Sequence, residues 1–181
     1  MLRILGGESK GRKLKGPGKL NFRPATGRVK EFIFAILGPH IEHAVVLDLF
    51  SGSGSIGIEA LSRGADRVIM VEQSANHIRI IKHNLEICRY GDRAEIIKGD
   101  VFRTLKFYGT QKDHFDIIFA DPPFNKMLRS EIVEHVERNR LLASEGRLII
   151  EHQADDREGS IDHYQLIRQK RFGHCMVSIY G

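Results

Sequence analysis

The chain has no tryptophan, two cysteines and five prolines among its 181 residues. Cys88 and Cys175 stand far apart and fit neither a metal-ligand nor a redox spacing. That excludes a disulfide scaffold and makes a reducing, cytoplasmic setting the expectation. No apolar run approaches the roughly 18 residues that a helical membrane span needs, so none is expected. Charge begins at Arg3, leaving no apolar leader, and no export signal is expected. Nine histidines include His40, His43 and His163, but none is spaced with carboxylate or cysteine partners as a ligand set would be. No metal is expected, and His152 and His174 read as hydrogen-bonded or surface residues. The remaining composition, 41% hydrophobic and 28% charged, suits one globular domain with a substantial core.

Acid is scarce in one place. Residues 1–30 carry nine Lys/Arg (Arg3, Lys10, Arg12, Lys13, Lys15, Lys19, Arg23, Arg28 and Lys30) against Glu8 alone, a net +8, while the rest of the chain sums to −3. This imbalance points to a polyanion docking at the N-terminal segment, with a solvated basic tail as the plain alternative. Within that segment Leu2–Leu5 and Lys13-Leu14 could pair as a hairpin across Gly6-Gly7. From Val29 the apolar positions Val29, Phe32, Ile33, Ile36 and Leu37 follow a helical period. Thr26 suits the N-cap, and Gly38-Pro39 ends the helix.

Beyond residue 38 apolar strands alternate with helices. Strands are predicted at Val45–Phe50, Arg67–Glu72, Ala94–Lys98, Phe115–Ala120 and Arg147–Glu151. Helices are predicted at Ile56–Arg63, Ala75–Cys88, after Asp100, and over about Arg129–Leu142. A closing hairpin is predicted from Tyr164–Lys170 and Cys175–Tyr180. This order implies an α/β fold: a mostly parallel seven-stranded sheet with a C-terminal antiparallel hairpin, covered by helices on both faces. Residues 1–38 read as a small basic hairpin and helix extension, and residues 39–181 as the main domain. Ligands of such sheets bind beyond the carboxyl ends of the strands, at the switch point.

Two motifs fall there. Gly52-Ser-Gly54-Ser-Ile-Gly57 follows the first strand and matches the dinucleotide-binding glycine pattern, with Glu72 at the distance of a ribose-binding acid. A nicotinamide dehydrogenase is the competing reading. Asp48, Glu72 and Asp100, at or just beyond the ends of three successive strands, decide against it, because carboxylates repel a pyrophosphate. They suit S-adenosylmethionine, whose sulfonium and α-ammonium are cationic and whose ribose and adenine offer donors. Asp48 and the loop are assigned to the methionine end, Glu72 to the ribose hydroxyls and Asp100 to the adenine amine. The second motif, Asp121-Pro122-Pro123-Phe124, ends the apolar run FDIIFA. An exocyclic base amine is a poor nucleophile, and a site helps it by accepting its N–H bonds. Asp121 and the Pro122 carbonyl could do so, in a turn stiffened by prolines that lack an N–H. Phe124 offers a stacking face for an extruded base. A mere strand-ending turn is the bland reading, made weak by the upstream loop.

DLFSGSGSIGIEALSRGA with VEQ, GD and DPPF resembles the class I S-adenosylmethionine-dependent methyltransferases, which are Rossmann-like. MLRILGGESKGRKLKGP with RPATGRVKEFIFAIL is similar, more closely, to the N-terminal signature of the RsmD-type methyltransferases. Ala25 and Gly27 stand where that family usually has Thr and Asp. The resemblance implies methylation of the N2 amine of one guanine in 16S ribosomal RNA, on 30S subunits or late assembly precursors. It further implies Asp121, Pro122, Pro123 and Phe124 as the catalytic tetrad. Cofactor binding would fall to Thr26, Asp48, Phe50, Gly52, Gly54, Glu72, Gln73, Asp100 and Val101, and RNA binding to Arg3, Lys10, Arg12, Lys13, Arg23 and Arg28. A monomer is expected. An N6-adenine methyltransferase acting on DNA or RNA, and an assembly factor whose chemistry is secondary or lost, are the alternatives.

Overall fold

The computed structural model describes residues 2–16, 26–123, 128–155 and 164–181. In chain order the elements are α1 (Gly27–Leu37), β1 (Val45–Leu49), α2 (Ser55–Ser62), β2 (Arg67–Glu72), α3 (Ala75–Cys88), β3 (Ala94–Lys98) and α4 (Val101–Gln111). They continue with β4 (Phe115–Ala120), α5 (Arg129–Arg138), β5 (Leu142–Gln153), β6 (Leu166–Phe172) and β7 (Cys175–Tyr180). The seven strands form one sheet in the order β3-β2-β1-β4-β5-β7-β6. β1 to β5 run parallel, and β7 enters antiparallel between β5 and β6. The chain winds outward from β1 to β3, then returns to place β4 on the other side of β1. The carboxyl ends of β1 and β4 therefore flank the switch point.

The central strands are apolar on both sides because both faces are covered. Val46, Val68, Met70, Ile117, Phe119, Ile149 and Val177 pack with α1, α2 and α3 in one cluster. Their strand neighbours Leu47, Leu49, Ile69, Val71, Ile118, Leu148 and Ile150 pack with α4 and α5 in the other, as the two-residue repeat of a strand requires.

The N-terminal segment belongs to the first of these faces. Ile4 and Leu14 are buried in the same cluster as Val29, Ile33 and Val46. Its two arms pair at a single bridge, Arg3 to Lys13, flanked by Ile4 N–H donating to Arg12 O (3.0 Å) and Leu14 N–H donating to Leu2 O (2.9 Å). Thr26 caps α1, its hydroxyl accepting from Val29 N–H at 3.4 Å.

Among the described basic residues of this segment, Lys30 is withdrawn from solvent. Lys30 is 1% exposed, and its Nζ donates to Arg3 O (2.9 Å) and to Oε2 of the fully buried Glu59 (3.1 Å). Glu59 also accepts from Leu5 N–H (2.9 Å), Gly6 N–H (2.8 Å) and Arg63 Nε (2.9 Å). Burial lowers the Lys30 pKa, against the attraction of Glu59. This knot clamps the N-terminal arm onto α1 and α2, so Lys30 serves as a structural cation and not as a docking charge.

Several boundaries differ from the sequence reading by one or two residues, β6 spanning Leu166–Phe172 where Tyr164–Lys170 was predicted, and two differ by more. α5 stops at Arg138 instead of running to Leu142, because Asn139 caps it and Arg140 turns the chain with φ 52°. β5 starts earlier, at Leu142, which pairs with Phe115 ahead of a bulge that brings Ile117 opposite Arg147.

Candidate active site

The glycine loop leaves β1 through three positive-φ residues, Phe50 (60°), Gly52 (56°) and Gly54 (73°). At Phe50, a non-glycine residue, this is a strained conformation, and the surrounding contacts must hold it. Gly57 opens α2 against the sheet: a Cβ there would come within 2.8 Å of Val68 Cγ1 and 3.1 Å of Asp48 Oδ2. Only glycine lets the helix start this close to the strand ends.

Each acid at a strand end has a local task. Asp48, 4% exposed, accepts from Gly57 N–H at 3.2 Å, holding the first turn of α2 over β1. Burial pushes its carboxyl up to about 7, an effect to which Glu72 adds and which the Gly57 and Ser51 hydrogen bonds oppose. Glu72, 7% exposed, accepts from Gly52 N–H (2.9 Å) and Ser74 N–H (2.8 Å). A carboxylate offers about four lone-pair sites, so two protein donors leave capacity for a ligand. Asp100 caps α4, accepting from Arg103 N–H at 3.0 Å with an exposed side chain. Gln73 is exposed beside Glu72, and Val101 is buried at the start of α4. Thr26 is engaged at the N-cap of α1.

The second motif follows β4 directly. Asp121 N–H faces Leu49 O at 3.5 Å, so the tetrad begins beside the glycine loop, across the switch point. Pro122 is buried and Pro123 exposed. Phe124, like Arg23, lies outside the described residues. Asp121 is pushed well above the usual carboxylate range by burial, then by the charges of Glu151 and Asp48.

Glu151 was not singled out in the sequence. The β4–β5 register pairs Ala120 with Ile150, which sets Glu151 beside Asp121. Its own pKa is raised by burial, and it holds the thiol of Cys175, which burial and Glu151 push up to about 12. Only knowledge of which strands adjoin could have found it. Asn84 was also missed. Fully buried, it donates to Lys15 O (3.0 Å) and Ser53 O (3.0 Å) and accepts from Lys15 N–H (2.7 Å), tying the N-terminal arm to the glycine loop. Of the basic residues proposed for RNA, Arg3, Lys10, Arg12, Lys13 and Arg28 are exposed. The Arg12 guanidinium also donates to Ile87 O near the end of α3.

Asp48, Asp121 and Glu151 thus converge with raised proton affinities, an arrangement that favours a cationic guest and disfavours a phosphate. Together with the glycine loop at the switch point of a parallel sheet, this defines a class I S-adenosylmethionine-dependent methyltransferase. The family model described as conserved hypothetical protein 95 matches residues 2–181. The chain is 33% identical to Ribosomal RNA small subunit methyltransferase D of Escherichia coli (strain K12), over 99% of this chain and 89% of that protein. It is also 33% identical to the Haemophilus influenzae protein of the same name, over 99% of this chain and 93% of that one. The solved structure of yhhF from Escherichia coli, a candidate methyltransferase, matches with a TM-score of 0.87 at 34% identity, covering 98% of this chain and 96% of that one. The chain belongs to the RsmD family of ribosomal RNA methyltransferases.

Proposed function

We propose that this enzyme methylates the exocyclic N2 amine of a single guanine in 16S ribosomal RNA. The observation that carries the reading is the meeting of Asp121-Pro122 with the glycine loop at an acid-lined switch point, in a chain whose named relatives are small-subunit methyltransferases. When bound, S-adenosylmethionine supplies an electrophilic methyl group. Asp48 and the backbone of Gly52 and Gly54 hold its methionine end, Glu72 its ribose, and Asp100 its adenine amine. The same reading gives Phe50, Gln73, Val101 and Thr26 to cofactor binding.

Asp121 and the Pro122 carbonyl accept the two N–H bonds of the guanine amine and so turn its lone pair toward the reacting carbon. The remaining contribution is positioning and exclusion of water, which burial of Pro122 favours. Pro123 stiffens the turn, and the motif alone assigns Phe124 to base stacking. Residues 1–38 act as the RNA-holding element through Arg3, Lys10, Arg12, Lys13, Arg23 and Arg28, and residues 39–181 as the methyltransferase domain. The enzyme works as a cytoplasmic monomer on 30S subunits or late precursors.

The test is incubation with tritiated S-adenosylmethionine and either naked 16S RNA or 30S subunits from a strain lacking the enzyme, followed by nucleoside analysis. Label in N2-methylguanosine supports the reading. Label in N6-methyladenosine, or none, refutes it. Asp121→Ala should abolish transfer while leaving cofactor affinity within a few-fold; a large loss of affinity would overturn its assigned role.

A further inference from the structure

Positive charge is not confined to the N-terminal arm. Residues 164–181 contain Arg168, Lys170 and Arg171 and no acid. The fold puts these residues on β6, which among the described residues ends the sheet and pairs with β7 alone. Along β6, residues 166–171 are exposed, Arg168, Lys170 and Arg171 among them. Arg171 has an exposed partner, Asp155, at 3.6 Å.

Register decides which way the others point. Arg168 pairs with Ile179 and Lys170 with Val177, both of which pack on the α1 face of the sheet. That is the face on which the N-terminal arm also lies, through Ile4 and Leu14. Lys170 is already placed. Its Nζ sits 5.3 Å from the ring centroid of Phe32 on α1 and 5.4 Å from that of Phe172, and the two rings meet edge to face at 5.6 Å. An ammonium held over two rings gives up less freedom on binding than a loose surface lysine. Arg168 stands two residues along the same strand, about 7 Å away, roughly the step between successive phosphates of a single strand. The β6–β7 turn lies toward the carboxyl end of β5, the end that carries Glu151, since Phe172 pairs with Cys175 and Cys175 with Gln153. Glu31 is the acid on the exposed side of α1.

We infer that Arg168 and Lys170, with Lys170 steadied by Phe32 and Phe172, form a second RNA-backbone contact on the α1 face, separate from the N-terminal arm. It grips phosphates flanking the nucleotide that enters the site. This rests on the RNA methyltransferase reading given above. The rival role for charges on an edge strand is to prevent pairing with another strand, in particular a second copy of this chain.

The experiment measures binding of the full chain to 30S subunits lacking the mark and to naked 16S RNA across a salt series, together with methyl transfer and sedimentation. Arg168→Ala/Lys170→Ala should weaken binding three- to tenfold near physiological salt. It should flatten the log–log salt dependence by about 1.4, from about 0.7 for each single-strand phosphate released. It should raise the KM for RNA while leaving kcat and S-adenosylmethionine affinity unchanged. Arg168→Lys/Lys170→Arg should restore binding, and Lys106→Ala, an exposed change on α4, should alter nothing. An unchanged affinity and salt slope in the double variant, beside a wild type that binds and methylates, overturns the surface alone. Self-association of the double variant with intact RNA binding also overturns it, in favour of edge protection. Wild-type binding without methylation would sink the proposed function and leave the surface standing, whereas no binding to either RNA would sink both.

Discussion

Asp48 offers the sharpest test of how the cofactor cleft works. Its carboxyl is pushed up to about 7 mainly by burial, so in the free protein it is protonated over much of the acidic range. A carboxyl with a folded pKa above its unfolded one contributes stability that is fully present below about pH 4 and is lost as pH rises through about 7. A cationic guest reverses this preference, because it favours the ionised form. Binding below pH 7 must therefore expel the proton, and affinity must strengthen as pH rises. With a pKa of about 7 in the free protein, and one well below 5.5 in the complex, Kd should be about 15-fold weaker at pH 5.5 than at pH 7.0. About 0.9 proton should be released per cofactor at pH 6. Over this range the cofactor's α-amino group remains charged, since such groups titrate near 7.7–8.0. Calorimetry in two buffers of different ionisation enthalpy reads both quantities. Asp48→Asn preserves an acceptor for Gly57 N–H and should flatten the profile, with affinity at pH 7 reduced about tenfold, in the range of a lost charge-assisted contact. Asp121 and Glu151, whose carboxyls burial also raises, are intact in that variant, so any shallower slope that survives there is theirs. A wild-type Kd that is flat between pH 5.5 and 7.0, or a slope as steep in Asp48→Asn as in the wild type, refutes the reasoning.

Two other perturbations address the supports of the site. Glu59→Gln leaves Lys30 buried without a carboxylate and should cost about 3–5 kcal/mol in urea unfolding. Proteolysis of the N-terminal arm should rise with it, and Lys30→Met in the same background should recover part of the loss; an unchanged midpoint would show that the knot contributes nothing. Glu151→Gln removes a negative neighbour of Asp121, so the acid limb of kcat should move to lower pH. A limb that stays in place, or moves up, would separate Glu151 from the chemistry.

The elements that carry the site were legible because each has a strong local signature. VVLDLF and FDIIFA are short apolar runs followed by glycine or proline, and they became β1 and β4 with Asp48 and Asp121 at their ends. Thr26 was legible as a cap for the same reason: its side chain reaches only three residues along the chain. The α5–β5 junction was not, because Leu141 and Leu142 prolong the apolar pattern of the helix, while the left-handed turn at Arg140 leaves no such trace.

The residues missed at the site share a deeper cause. Glu151 means nothing until the register sets it beside Asp121, and Asn84 looks like an ordinary helix residue until Lys15 and Ser53 are brought to it. Charge summed along the chain was misleading in the same way. It counted Lys30 as free, although Glu59 neutralises it 29 residues away in sequence, and it placed all the surplus in the first sixth of the chain. The fold adds Arg168 and Lys170 of β6, whose pairing partners pack on the same sheet face as the arm, so basic residues from opposite ends of the sequence lie on one side of the fold. An RNA partner meets faces and not segments, so charge sorted by face is the sum that bears on how this enzyme holds its substrate.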